Sequence, residues 1–304
     1  MGARLRVTIV INPVAGVRGT LERARRRAEW AIDLLRSRGA DPDVFISERR
    51  GHARELAAAA AATAAEVVAA WGGDGTVNEV ASALAGSDVA LAVIPAGSGN
   101  GLARMLGVPA DPRRAIDHFL QAPERRIDVG EIDGRLFVNI AGVGFDAHVA
   151  AAFAALGRAR RGVLMYGAIV ARELWRYDSR HYSLALTLRE GAPCAPEGCT
   201  AFLLSFANGS QWGNGALIAP AATLDDGLLD AVRVEVAGPV AVARAIPHLF
   251  RGTIAGVRGV TILKVRAATV RADAPLVYHA DGESFAGGTT LEVAVRDRAL
   301  RLRA

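Results

Sequence analysis

The sequence predicts a two-part protein: an α/β N-terminal domain with a parallel sheet and flanking helices, then a mainly antiparallel β domain. Three observations carry this reading. Over residues 1–120, short β-branched runs alternate with segments whose apolar residues recur at helical spacing. After Pro123 the strands follow one another with little helix between them. Two glycine-rich stretches, "WGGDGTVNEV" (residues 71–80) and "IPAGSGNGLAR" (residues 94–104), each leave an apolar strand and run into a helix.

In chain order, "RVTIVIN" opens as a strand, and residues 20–37 follow as a helix with Leu21, Ala24, Ala28, Ala31, Leu34 and Leu35 on one face. The runs "DVFIS", "EVVAAW" and "ALAVIP" are the next strands, with helical segments between them. Such alternation implies right-handed crossovers, a parallel sheet and a ligand crevice beyond the carboxyl ends of the strands, where both glycine loops fall. In "RIDVGEIDGRLFVNIAGVGF" two strands meet at an Asp133-Gly134 turn. Residues 147–177 and 239–251 read as helices, and "HYSLALTLRE", "TAFLLSFAN", "LLDAVRVEV", "TILKVRAATVRA", "TTLEVAVRD" and "ALRLRA" as strands. The boundary is expected near residues 122–127, giving domains 1–124 and 125–304, with the extreme C-terminus packing back on the first.

The chain has 304 residues, 51% hydrophobic and 22% charged, which is the composition of folded domains with their own cores. Its formal net charge of +5 is compatible with anionic membranes, nucleotides or nucleic acid and does not choose among them. Cys194 and Cys199 sit in "GAPCAPEGCT" without a histidine pair at metal spacing, so neither a disulfide framework nor a metal knuckle is expected. The short apolar run at the start lacks a signal-peptide pattern, and the alanine-rich run after Leu56 is too weakly apolar to span a bilayer. A cytoplasmic protein is the expectation.

The loop "WGGDGTVNEV" combines a phosphate cradle with a carboxylate. Helix N-terminal amides attract phosphate, and glycine lets the backbone approach it closely. No lysine follows the glycines, so electrophilic help must come from elsewhere, most simply Mg²⁺, and Asp74 is the group to hold it. A tight turn with Asp74 capping a helix that opens at Thr76 is the alternative. In the second loop, Ser98 and Asn100 supply polar groups beside Gly97, Gly99 and Gly101.

With these loops on the page the chain resembles the diacylglycerol kinase catalytic family, lipid kinases that include sphingosine and ceramide kinases. The resemblance runs through "INPVAG" (11–16), "SERRGHARELA" (47–57), "GGDGTVNEV", "APAATLDDGLLD" (219–230) and "ADGE" (280–283), in that order. It implies an ATP- and Mg²⁺-dependent transfer of the γ-phosphate to a lipid hydroxyl, by an N-terminal domain like that of NAD and diacylglycerol kinases and a C-terminal β-sandwich. Carried over by position, Asn12, Ser47, Gly72, Gly73, Asp74, Gly75, Thr76, Val77, Asn78, Gly97, Ser98, Gly99 and Asn100 would contact ATP, with Arg160 reaching its phosphates. Asp281 or Glu283 would be the base, folded over an interdomain cleft toward Asp74, and Asp146 would meet the lipid head. Asp226 with the carbonyls of Thr223 and Leu228 would hold a structural Mg²⁺.

Arg158, Arg160, Arg161, Arg172 and Arg176 lie in one mixed apolar-basic stretch, which suggests peripheral contact with an anionic membrane rather than nucleic acid. Oligomeric state is left open, a homodimer included. Gly101 stands where the family commonly has Asp, which loosens the assignment to diacylglycerol. Soluble NAD kinases share the GGDG loop and remain an alternative, as does a catalytically idle lipid- or nucleotide-binding protein.

Overall fold

The computed structural model describes residues 4–16, 19–155, 163–189, 191, 194–213, 215–236 and 238–304. Within them the chain forms two compact units: Met1–Ile127 together with Arg298–Ala304, and Asp128–Asp297.

The first unit alternates strand and helix: β1 (Arg6–Ile11), α1 (Leu21–Ser37), β2 (Asp41–Ile46), α2 (His52–Ala62), β3 (Val67–Gly72), α3 (Asp74–Leu84), β4 (Ala90–Pro95), α4 (Gly101–Met105) and α5 (Pro112–Gln121). The strands run parallel in the order β2-β1-β3-β4, with Ile9 opposite both Val44 and Ala69, and Ala69 opposite Ala92. β3 and β4 are buried along their whole length, because helices cover both faces of the sheet. On one face Ile9, Ala69, Trp71 and Ile94 pack with Ala24, Ala31, Leu35 of α1 and Ile116, Phe119 of α5. α2 and α3 cover the other face with Ala53, Ala57, Val80 and Leu84. Thr20 caps α1 by accepting from the Arg23 amide, and Asp111 caps α5 the same way through Arg114, with Pro112 in the first turn. Leu21, expected on the inner face of α1, is the first residue of that helix and is half exposed.

The second unit contains, in chain order, β5 (Glu124–Ile132, which starts in the first unit), β6 (Arg135–Phe137), β7 (Ile140–Gly144), α6 (Phe145–Ala155), α7 (Val163–Leu174), β8 (Arg180–Leu188), β9 (Glu197–Ala201), β10 (Leu203–Ala207), β11 (Gln211–Gly213), β12 (Ala216–Leu217), β13 (Leu229–Val234), α8 (Pro239–Arg251), β14 (Val260–Arg271), β15 (Val277–Ala280), β16 (Glu283–Ala286) and β17 (Thr290–Arg303). Its main path is β16-β15-β7-β10-β13-β14-β17, with β8 also on β14 and β9 on β8, every registered pair antiparallel. The sheet curls into a sandwich whose interior brings Val143, Leu204, Phe206 and Tyr278 against Tyr182, Leu184, Val265 and Val270. Burial pushes the Tyr182 phenol far above its ordinary pKa.

Alternate residues of β10 and β13 face outward instead. Leu203, Ala207, Val232 and Val234 form a second core with Phe145 and Val149 of α6, Ile169 and Leu174 of α7, and Val242 and Leu249 of α8. Three helices therefore cover this side of the sheet. The helix expected over 147–177 is two helices, α6 and α7. The two C-terminal strands expected after residue 289 are one, β17, in which Arg298 takes a left-handed φ of 46° where the chain passes from one unit to the other. In the first unit its end pairs Leu302 with Leu91 in parallel.

Candidate active site

In the first unit the two glycine loops touch. A Cβ on Gly97 would lie 2.6 Å from the Gly73 Cα, and one on Gly99 would lie 2.5 Å from an Asp74 carboxylate oxygen, so only glycine permits this approach. Asp74 is the first residue of α3, two positions earlier than the expected helix start at Thr76. Its carboxylate does not cap its own helix. Oδ2 accepts from the Asn100 amide at 2.9 Å and Oδ1 from the Gly101 amide at 2.7 Å, so Asp74 clamps the second loop at the start of α4. Asn100, at a left-handed φ of 50°, closes its own loop: its Oδ1 accepts from the Gly97 amide at 2.9 Å and its Nδ2 donates to the Gly97 carbonyl at 2.8 Å.

No side chain caps α3, whose N-cap is Gly73; the Thr76 amide donates to the Gly73 carbonyl at 3.0 Å, and the Asp74 and Gly75 amides are left without a side-chain acceptor. Asn12, just past β1, donates from Nδ2 to the Thr76 hydroxyl at 2.9 Å and accepts from the Val14 amide. Thr76 is buried, and so is Val77, whose side chain belongs to the core and whose amide donates to the Gly73 carbonyl at 3.1 Å. Gly72 is the last residue of β3, Gly75 lies in the first turn of α3, Asn78 is half-buried on α3, and Ser98 is exposed. Ser47 is buried and, with Pro13, Leu21, Arg25, Ile46 and Glu48, lines a cavity of about 460 Å³ beside Asn12.

One residue of this site escaped the sequence reading. Glu79 accepts from the Gly51 and Ala53 amides at 2.8 and 3.1 Å, pinning the start of α2 to α3. The loop after β2 is thereby fixed to the helix that carries Asp74. Its signal was in "GTVNEV": a carboxylate one turn after Asp74 on a helix otherwise packed as core.

The second unit holds the other candidate groups. Asp281 and Gly282, with φ of 47° and 82°, form the two-residue turn between β15 and β16. The Asp281 carboxylate accepts from three consecutive amides, Val138, Asn139 and Ile140, at 2.8 to 3.0 Å. That carboxylate holds the β6–β7 connection. Glu283 is half-buried at the start of β16, opposite Ala280.

Asp146 is the residue expected at a lipid head. It is 4% exposed, and its oxygens accept from the Ala147 amide (2.8 Å), the Ser205 hydroxyl (2.7 Å) and His279 Nε2 (3.0 Å). Gly142 makes room for it, since a Cβ there would sit 2.8 Å from Asp146 Oδ2. Ser205 and His279 were not anticipated; they are adjacent to Asp146 only through β10, β15 and α6.

At Thr223, Asp226 and Leu228, where a structural Mg²⁺ is expected, the structure sets Lys264 against the carboxylate. Its ammonium lies 2.9 Å from Asp226 Oδ2 and 2.9 Å from Asp230 Oδ2. Leu228 contributes its amide to Asp226 Oδ1 at 3.1 Å, and buried Asp128 accepts from the Gly227 amide at 2.7 Å. Burial alone would raise Asp226, but the bonds from Lys264, Thr223 and Leu228 hold it below the usual carboxylate range. Burial keeps Asp230 above that range. Burial also works against the Lys264 charge, yet the two carboxylates raise it. A lysine stands where a cation would bind, and these residues do not fit a metal. Among the described residues no cluster of three or more His, Cys, Asp or Glu could hold one.

Arg158, Arg160 and Arg161 lie outside the described residues. Arg172 is paired with Glu173, which also meets His148 at 2.8 Å. No helix among the described residues is long and apolar enough to cross a membrane.

Comparison with known proteins agrees with this arrangement. Residues 6–132 match the family described as the diacylglycerol kinase catalytic domain, and residues 139–304 match the YegS C-terminal NAD kinase beta sandwich-like domain. A protein named diacylglycerol kinase from Mycobacterium tuberculosis is 32% identical over 98% of this chain and 94% of its own length. A Pseudomonas aeruginosa protein named "Probable lipid kinase YegS-like" is 33% identical over 90% of this chain and 87% of its own. The fold is shared with a crystal structure of a diacylglycerol kinase from Bacillus anthracis, at a TM-score of 0.71 and 19% identity, covering 98% and 96% of the two chains.

Proposed function

The chain belongs to the diacylglycerol kinase catalytic family, and on that premise we propose that it transfers the γ-phosphate of ATP, with Mg²⁺, to a hydroxyl of a membrane lipid. The observation that carries this reading is the clamp of Asp74 across two glycine loops in backbone contact. Asn12 fixes Thr76, Glu79 fixes the loop that carries Ser47 toward α2, and the uncapped turn of α3 offers its amides to phosphate.

Asp74 fits one metal ligand. Each of its oxygens accepts a single amide and retains a second lone pair, and Mg²⁺ in kinases needs only one or two carboxylates beside substrate phosphates and water. When bound, Mg²⁺ would neutralise charge on the phosphates. The amide bonds to Asp74 hold its carboxylate in one orientation, so the loops keep their shape whether or not nucleotide is present.

Of the two late carboxylates, Glu283 is the proton acceptor for the lipid hydroxyl. Asp281 has its lone pairs committed to three amides and serves as scaffold. Asp146, with Ser205 and His279, supports the hairpin that presents Glu283, since His279 is two residues before Asp281 on β15.

Labelled phosphate transfer from ATP to a panel of lipids and to NAD tests the reading, with Asp74→Asn as control. Transfer to a lipid hydroxyl that depends on Asp74 supports it. Transfer to NAD alone, or none to any acceptor, overturns it.

A further inference from the structure

The outer face of the helical layer on the second unit is built unlike an ordinary solvated face. α8 turns Ala245, Val242 and Leu249 toward the sheet and Val240, Ala243, Arg244, Ile246, Pro247, Phe250 and Arg251 away from it. Val240 is 62%, Ile246 39% and Phe250 57% exposed. An outward helix face should be polar, as the inner face already supplies the packing. Here its only charges are two arginines.

The neighbourhood has the same character. No Asp or Glu occurs from residue 236 to 272, while Arg244, Arg251 and Arg258 fall on α8 and the turn that follows it. On α8, large exposed apolar side chains flanked by arginine, in a stretch without Asp or Glu, match the interfacial zone of an anionic bilayer. There the rings and aliphatic chains enter the acyl boundary and the guanidinium groups meet headgroup phosphate. A protein partner of opposite charge would complement the arginines but leave the apolar chains without a matching surface.

We propose that the solvent face of α8 docks this protein on anionic membrane. The choice of occupant rests on the lipid-kinase reading, since the acceptor of such an enzyme resides in a bilayer. The docking surface involves neither Asp74 nor Glu283.

Co-sedimentation with phosphatidylcholine vesicles, with and without phosphatidylglycerol, reads the docking directly. Binding should require phosphatidylglycerol and weaken with added salt. Arg244→Glu with Arg251→Glu should lower the partition coefficient about 25-fold or more, from roughly fivefold per arginine contact. Phe250→Ser should lower it roughly five- to tenfold, by removing apolar area from the bilayer. Both variants should melt with the wild type, because the altered side chains point away from the core, and both should phosphorylate a soluble short-chain acceptor at the wild-type rate.

Unchanged vesicle binding in both variants overturns the proposal, as does wild-type binding indifferent to phosphatidylglycerol. A concentration-dependent dimer that dissociates in the variants also overturns it, by assigning the face to a second copy of this chain. If the wild type binds vesicles as expected but phosphorylates no lipid, the docking surface stands and the kinase reading fails.

Discussion

Removing the Lys264 ammonium should destabilise the second unit and create a divalent-cation site. In Lys264→Met the stem length is retained and the charge is lost. Asp230, only 3% exposed, then has no cation beside it, and Asp226 keeps the Leu228 amide but loses its ion pair. Breaking a buried ion pair from one side costs about 3–5 kcal/mol, and the partial exposure of Lys264 argues for the lower end. At about 3 kcal/mol, a unit of this size should melt roughly 6–12 °C lower. Mg²⁺ or Ca²⁺ should return part of that loss in the variant, since two carboxylates and the Thr223 hydroxyl then surround an empty cation position. The wild type should melt alike in chelator and in excess Mg²⁺, measured by scanning calorimetry without nucleotide. The pH dependence has a defined sign. Asp226 is held low, so its contribution is present above the unfolded carboxylate pKa and is lost as acid titrates it below that value. Lys264 is held high, so its contribution is complete below the unfolded lysine pKa and is lost only as pH rises through its raised value. A wild type that loses its melting temperature to chelator, or a variant that melts with the wild type, would refute the reasoning.

Most of the scaffold was legible because periodicity reports burial, and burial decides which strands and helices form. The continuous apolar runs of β3 and β4 announce a sheet covered on both faces, and both glycine loops fall at the carboxyl ends of those strands. What the sequence could not convey was which partner each carboxylate would find. Asp74 reads equally as a cation holder or a cap; only its 26-residue reach to the Asn100 amide shows that it ties two loops together. Asp226 reads as a metal ligand until β13 and β14 pair and set Lys264 directly opposite Asp230. His279 and Asp146 are 133 residues apart, and their meeting depends on β15 pairing with β7, which no local pattern encodes. Polar partnerships of this kind are fixed by strand register, and register is a property of pairs of segments rather than of either one.

The remaining predictions concern the carboxylates of the proposed reaction. Asp74→Asn should reduce turnover at least about a hundredfold in a phosphate-transfer assay, with a loss of roughly 1–2 kcal/mol in stability, because an amide side chain can accept only one of the two backbone bonds. Glu283→Gln should abolish turnover with little change in melting temperature, whereas Asp281→Ala should unfold more readily, by about 2–3 kcal/mol, because three amides lose their acceptor; equal stability of the two variants would reverse the assignment of base and scaffold. The last concerns the buried trio. Ser205→Ala removes one donor from a carboxylate that still has the Ala147 amide and His279, and should cost about 1 kcal/mol. His279→Leu removes the other side-chain donor from Asp146 and should cost more, about 2–3 kcal/mol. The effects on catalysis should follow the same order, because His279 also sits in the strand that leads into the Asp281 turn. If Asp146 met the lipid head directly, the acceptor KM would rise in both variants while kcat held. As a support for the hairpin it predicts the opposite split: kcat falls, most in His279→Leu, and the KM for a soluble acceptor stays near its original value.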